Sequence, residues 1–285
     1  MPRKRATIRT MGPIRVASIQ LPGVGGTVAE RADLARAAIA ETNRAADGGA
    51  SADLYVLPEA CFPGYTHVRA SGEGAARAFA ESVDRRVVVG FIEGAASCAG
   101  IWEPGGSWIV YQKRFPTPAE SRVWRAGRES VVAQTGIGRV GMLICADVLQ
   151  IDAWEDLRGR VDVVAVCAAW PEYRGRWAPP GLAWLYAESN GYRDDLLGRA
   201  ARSLGVPVVF ANACGPGFSG GSAVWSAAGK IVAEPHEIAV VEASCEGSAE
   251  APPEVALRHP ARWAAFTHAY RWAAEAREQI GGDGR

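Results

Sequence analysis

Three apolar runs of β-like character each end in a side chain able to do chemistry, and this constrains the fold more than any other feature of the chain. Leu54-Tyr55-Val56-Leu57-Pro58 runs into Glu59, Trp108-Ile109-Val110-Tyr111-Gln112 into Lys113, and Val140-Gly141-Met142-Leu143-Ile144 into Cys145. Together they supply a base, a cation and a nucleophile. Covalent catalysis by a thiol requires such groups to be held rigidly in one crevice, and the strand ends of an α/β scaffold provide one.

The 285 residues can bury a substantial core, as one large α/β domain or two ordinary ones. No change of composition separates two halves. Lys plus Arg number 31, as do Asp plus Glu, so no global field favours nucleic acid or an anionic membrane surface. Small molecules are the expected partners. The basic start, Pro2-Arg3-Lys4-Arg5, reads as a flexible, solvated terminus over residues 1–12 rather than a nucleic-acid arm. No apolar stretch approaches the ~18 residues needed to span a bilayer, and no secretory signal opens the chain, so a cytoplasmic protein is expected. Six cysteines (Cys61, Cys98, Cys145, Cys167, Cys214, Cys245) are scattered singly, without a CxxC pair. They read as reduced thiols rather than a disulfide framework or zinc site.

Ile14 to Leu21 reads as a first buried strand, and Thr27-Val28-Ala29-Glu30 as a capping box opening an Ala-rich helix to about Ala46. A second strand is expected over Asp53 to Pro58, a helix over Ala75 to Ser82, a third strand over Arg86 to Ile92, and a hairpin around Pro104-Gly105-Gly106 whose second arm Lys113 leaves. Later strands are expected at Arg139 to Cys145, Val161 to Ala168, Val206 to Ala211, Ser222 to Ser226 and Ile238 to Ala243, with a long helix from about Leu182 to Leu204. Early strand–helix alternation followed by hairpins fits a mixed sheet pair flanked by helices. The tail, residues 248–285, places Trp263, Phe266, Tyr270 and Trp272 on a helical pattern and reads as a subunit contact, hence a homodimer or higher homo-oligomer.

Leu57-Pro58-Glu59, Tyr111-Gln112-Lys113-Arg114 and Leu143-Ile144-Cys145-Ala146-Asp147 resemble, in order and spacing, the signature elements of the nitrilase (carbon–nitrogen hydrolase) superfamily. The resemblance runs from about Ile14 to Ala243. It implies the superfamily's four-layer α-β-β-α sandwich, with residues 13–247 as the hydrolase domain. In the resembled mechanism Glu59 takes the thiol proton, returns it to the leaving amine and then activates water. Lys113, with the backbone N–H of Ala146, stabilises the oxyanion. Glu120 matches a second family glutamate that positions substrate and Lys113. Phe62 and Tyr65 after the base, and Trp170, Pro171, Glu172 and Tyr173 after the next strand, stand where family members line the acyl pocket. Arg174 and Arg176 read as a substrate-carboxylate contact or a solvated loop. Asn212 and Ser222 match buttressing polar positions.

Cys145 is followed by a helix-like stretch, so its thiol is expected on a tight strand-to-helix turn, with its pKa lowered by a helix N-terminus. Two glycine patterns, Gly136-Ile137-Gly138-Arg139-Val140-Gly141 and Gly215-Pro216-Gly217-Phe218-Ser219-Gly220, fit GxGxxG but lead into no helix, so no nucleotide cofactor is expected. His67, His236, His259 and His268 show no metal spacing. Ala146-Asp147 replaces the Trp-Glu common in nitrilases, which favours the amidase-like branches. The expected activity is hydrolysis of a linear, non-peptide amide through a thioester acyl-enzyme. Nitrile hydrolysis, N-carbamoyl hydrolysis and acyl transfer are the alternatives on the same fold, and a catalytically silent binding protein is the competing class.

Overall fold

The computed structural model describes residues 14–45, 51–65, 70–172, 183–226, 229–232 and 239–245. The basic start, the aromatic tail, Tyr173, Arg174 and Arg176 lie outside them.

Two sheets form, each built on parallel strands extended by antiparallel ones. In the first, β1 (Ile14–Pro22) lies between parallel β2 (Leu54–Val56) and antiparallel β13 (Ala239–Cys245), the latter in register from Ile14↔Cys245 to Gln20↔Ala239. Beyond β2 come β4 (Val87–Gly94), β5 (Ala96–Glu103) and β6 (Ser107–Gln112), with the two-residue β3 (Ala70–Ser71) paired on β4. The second sheet keeps chain order: β7 (Val132–Thr135), β8 (Gly138–Ile144), β9 (Val163–Ala168), β10 (Val208–Cys214), β11 (Ala223–Ser226) and β12 (Gly229–Val232). The sheets meet where Leu21 and Pro22 of β1 pair with Ala213 and Cys214 of β10.

Alternation along β1 sorts its side chains between two cores. Ala17, Ile19 and Leu21 pack with Ala32, Ala35 and Ile39 of α1 (Val28–Ala45) and with Ala76, Phe79 and Ala80 of α2 (Glu73–Val83). Val16, with Leu54, Val56 and Val88, faces Met142 and Ile144 across the sheets, and that core continues to Leu197 and Ala200 of α4 (Ala183–Leu204). Helix, sheet, sheet, helix is the layering the resemblance implies. Each fully buried large aliphatic or aromatic side chain contributes roughly 1.5–3 kcal/mol. The one hydroxyl on β1, Ser18, donates to the carbonyl of Phe210 at 2.7 Å and so ties one sheet to the other.

Local chemistry follows expectation at several points. Thr27 and Glu30 form the reciprocal cap, with Thr27 N–H on Glu30 Oε2 at 2.7 Å and Glu30 N–H on Thr27 Oγ1 at 3.3 Å. The Gly105-Gly106 hairpin joins β5 and β6 in the register Glu103↔Ser107. Gly136 to Gly141 is the β7–β8 hairpin, Gly138 supplying the left-handed residue at φ 106°. Strands β3, β7 and β12 were not expected from the sequence. The five described cysteines are buried free thiols, and no helix among the described residues is long and apolar enough to cross a membrane.

Candidate active site

Glu59 lies just past β2, Lys113 just past β6 and Cys145 just past β8, so the first two come from one sheet and the third from the other. Several backbone contacts brace the turn at Glu59. Its N–H donates to the carbonyl of Ala168, the last residue of β9, at 3.2 Å, and Ala60 beyond it takes a left-handed φ of 50°. Gly90 of β4 packs against this turn so closely that a Cβ there would stand 2.2 Å from the Pro58 carbonyl oxygen.

Lys113 is 1% exposed and joins two carboxylates: its Nζ donates to Glu59 Oε1 and to Glu120 Oε1, each at 2.9 Å. Glu120 also accepts from the Tyr65 hydroxyl at 3.0 Å and the Thr117 N–H at 2.7 Å. Glu59 Oε1 accepts from Ser97 Oγ at 2.8 Å, while Glu59 Oε2 is buried with no partner. The two carboxylates therefore differ. Burial, reinforced by the charge of Glu120 and opposed by Lys113, pushes Glu59 above the ordinary glutamate range. Burial acts on Glu120 too, but Lys113, the Thr117 N–H and Tyr65 overcome it and hold Glu120 below that range. Burial disfavours the Lys113 ammonium, yet Glu120 and Glu59 outweigh it and raise its pKa well above normal.

Cys145 opens a short 3₁₀ helix, Cys145–Leu149, with φ 44°, followed by α3 (Ile151–Glu155). Asp147 organises this elbow. Its Oδ2 accepts from Tyr111 OH at 2.7 Å and Ile144 N–H at 2.9 Å, and its Oδ1 from Phe115 N–H at 2.8 Å and Arg114 N–H at 3.2 Å. One carboxylate thereby holds the exit of β8 against the exit of β6, and Cys145 against Lys113. The expected depression of the thiol pKa is corrected here. Burial and the charge of Glu59 push Cys145 well above its ordinary value, and Lys113 and the Ala169 N–H only partly offset them. A five-residue 3₁₀ turn supplies too little aligned dipole to overcome desolvation. The resting group is a neutral thiol.

The remaining expected residues fall in different places. Tyr65 joins the site through Glu120 and packs edge-on to Trp124 and Phe218, while Trp124 lies under Lys113, whose Nζ is 5.7 Å from the ring centre. Ala146 is buried beside Cys145. Trp170 is buried with its indole N–H unpartnered, Pro171 bridges to Phe218, and the Glu172 N–H donates to Gly217. Phe62 does not join them: it is fully buried and packs on Phe79 of α2, ring centres 5.3 Å apart, in the helix-side core. Asn212 Oδ1 accepts the Trp170 N–H at 2.7 Å, and Ser222 Oγ accepts the Asn212 N–H at 2.8 Å. A surface cavity of about 550 Å³ beside Trp124, lined also by Glu93, Arg122 and Arg125, contains none of Glu59, Lys113 or Cys145. Sequence reasoning passed over Ser97, and it missed the role of Asp147. Asp147 stood inside the elbow motif, and a carboxylate directly after a buried strand was the available signal.

Residues 15–245 match the carbon–nitrogen hydrolase family, and the chain belongs to that family. Among solved structures it is similar to an amidase from Nesterenkonia sp., at 20% identity and a TM-score of 0.66, covering 86% of this chain and 94% of that one. A variant of the amidase from Nesterenkonia sp. AN1, whose active-site cysteine carries the acetamide moiety of fluoroacetamide, is similar at 21% identity and TM-score 0.66, over 82% of this chain and 91% of that one. Glutamine-dependent NAD+ synthetase from Acinetobacter baumannii is similar at 20% identity and TM-score 0.64 over 85% of this chain, which spans about half, 49%, of the synthetase. The shared feature is the nitrilase-like fold. No curated protein sequence matches the chain.

Proposed function

We propose that the protein is a cysteine-dependent amidohydrolase that cleaves a linear, non-peptide amide bond of a small molecule through a thioester on Cys145. The observation that carries this reading is Glu59 Oε2, a buried carboxylate oxygen without a partner, on a side chain that holds the Lys113 ammonium and acts electrostatically on the buried Cys145 thiol. The thiol proton passes to Oε2 as sulfur attacks the amide carbon. Lys113 has three N–H donors, two of them occupied by Glu59 and Glu120, so the third is available to the oxyanion together with the Ala146 N–H. Collapse breaks the C–N bond, and Glu59 gives its proton to the departing amine or ammonia. Water then loses a proton to Glu59 and adds to the thioester. The acid leaves, and the proton returns to sulfur.

The fluoroacetamide adduct on a fold-level neighbour, and a butyramide complex of the same amidase, support an amide as the substrate class. Ala146 supports it independently, because nitrilases commonly carry tryptophan there. Retention of all three strand-end groups argues against a silent binding protein. A cytoplasmic homo-oligomer assembled through the C-terminal tail completes the proposal. The test is ammonia release from matched primary amides and nitriles, with mass spectrometry of a quenched reaction. The amide is expected to react faster and Cys145 to carry an acyl thioester. A consistent preference for nitriles across several acyl groups overturns the amidase assignment.

A further inference from the structure

A buried cation other than Lys113 acts electrostatically on Cys145, and the mechanism above leaves it without a task. Arg193, on α4, is 3% exposed. Its Nε and Nη2 donate to Asp194 Oδ1 at 3.0 and 2.9 Å, its Nη1 to Ser219 Oγ at 3.2 Å and to the Gly220 carbonyl at 3.4 Å, and its guanidinium lies 5.0 Å from the Phe210 ring centre. Pairing with Asp194 alone does not require burial, since Asp194 also binds Lys230 at an exposed position. The contacts with Ser219 and Gly220 do.

Those two residues hold the exit of β9. Asn212 Nδ2 donates to the Gly220 carbonyl at 2.6 Å and to Ser219 Oγ at 3.2 Å, and Asn212 Oδ1 accepts the Trp170 N–H. Ser219 closes the loop by donating its N–H to the Trp170 carbonyl at 3.0 Å. One residue back, the Ala169 N–H faces the Cys145 sulfur; one further back, the Ala168 carbonyl accepts the Glu59 N–H. Three consecutive residues at the end of β9 therefore touch the base, the nucleophile and the network that Arg193 clamps.

We propose that Arg193 is a positioning residue: by clamping Ser219 and Gly220 it fixes the exit of β9, and through that exit the spacing between Glu59 and Cys145. The proposal rests on the thiol mechanism above. Charged and titratable groups acting on the thiol are Glu59, Lys113 and Glu120 from the first sheet and its loops, Tyr65, and Arg193 itself from α4. The Arg193 guanidinium interacts electrostatically with Cys145, so its loss makes the thiol harder to ionise.

The experiment compares Arg193→Met, Arg193→Lys and Ser219→Ala for kcat and KM on a primary amide, and for the pH dependence of Cys145 inactivation by iodoacetamide. Arg193→Met is expected to lower kcat at least ~10-fold with KM within about twofold, the scale of misplacing reacting groups. Its inactivation profile is expected to move to higher pH. Arg193→Lys is expected to restore the profile and part of kcat. Ser219→Ala, which leaves the cation in place, is expected to lower kcat about threefold through the loop alone. Lower thermal stability with kcat unchanged in Ser219→Ala overturns the proposal even if Arg193→Met fails to fold, as does a folded Arg193→Met enzyme that keeps wild-type kcat and the wild-type inactivation profile. Should the wild type hydrolyse no amide, the function proposed above fails, while the inactivation profiles still decide the role of Arg193.

Discussion

Lys113→Met removes one charge from between two carboxylates, and the structure decides which of them answers. After substitution Glu120 keeps the Tyr65 hydroxyl and the Thr117 N–H, whereas Glu59 keeps only Ser97. Glu59 is already raised by burial, and Glu120 is held low. The proton that relieves the buried charge therefore goes to Glu59, and the base is neutralised. Two losses combine. Removing an oxyanion donor costs about 2.7–4 kcal/mol in the transition state, roughly 10²–10³ in turnover. Protonation of Glu59 adds a pH-dependent loss, about tenfold for each pH unit below its new value. The assay is kcat/KM for ammonia release from a primary amide across the accessible pH range. The wild-type acid limb is expected above the ordinary glutamate range, because burial raises Glu59. In Lys113→Met that limb is expected at still higher pH, with the deficit shrinking toward 10²–10³ in alkali. Turnover within tenfold of wild type and an unmoved acid limb refute the reasoning.

Cys145→Ala is expected to abolish turnover while leaving the melting temperature within a few degrees, since it deletes one sulfur and retains the backbone geometry; appreciable residual activity refutes thiol catalysis. Asp147→Asn places an amide N–H against an N–H donor at one of its two oxygen positions and is expected to destabilise by roughly 1–3 kcal/mol in urea titrations, with kcat falling as Cys145 and Lys113 lose register. Gly90→Ala inserts a Cβ 2.6 Å from the Glu59 Cα, backbone that cannot swing aside. It is expected to cost about 1–3 kcal/mol of stability, and to lower kcat with iodoacetamide still reaching Cys145. Wild-type turnover in that variant would show that Glu59 tolerates displacement.

The strand exits were legible because the apolar runs before Glu59, Lys113 and Cys145 are long enough to announce buried strands and abrupt enough to mark where they stop. Their partners were not. Ser97 is an ordinary small residue within β5 until the Ile92↔Ser97 pairing sets that strand beside Glu59. Asp147 meets Tyr111, Arg114 and Phe115 only after the two sheets have packed. Arg193, in Tyr192-Arg193-Asp194-Asp195, has the appearance of a solvated helix face. Phe62, adjacent in sequence to the site, turns away because its backbone pairs with Gly90 and Ile92 and sends the ring toward α2. The second glycine pattern fits GxGxxG without leading into a helix; left-handed Gly215, Gly217, Gly220 and Gly221 return the chain so that Ser219 meets Trp170. The thiol pKa was misjudged because sequence shows the turn but not the depth at which it is buried.

The pairing of β1 with β13 bears on how the protein is made. During synthesis β1 emerges early, and β2 covers one of its edges soon after. Ile14 to Gln20 along the other edge wait for residues 239–245. Throughout that interval a highly apolar strand stands with unpaired N–H and C=O groups along one side, a template for pairing with other nascent chains. Glu59 and Lys113 lie on this sheet and Cys145 on the other, so bringing them together also needs the distant pairing of β1 with β10. Activity recovered after dilution from denaturant is therefore expected to follow these slow, non-local steps of folding rather than the early collapse of either sheet.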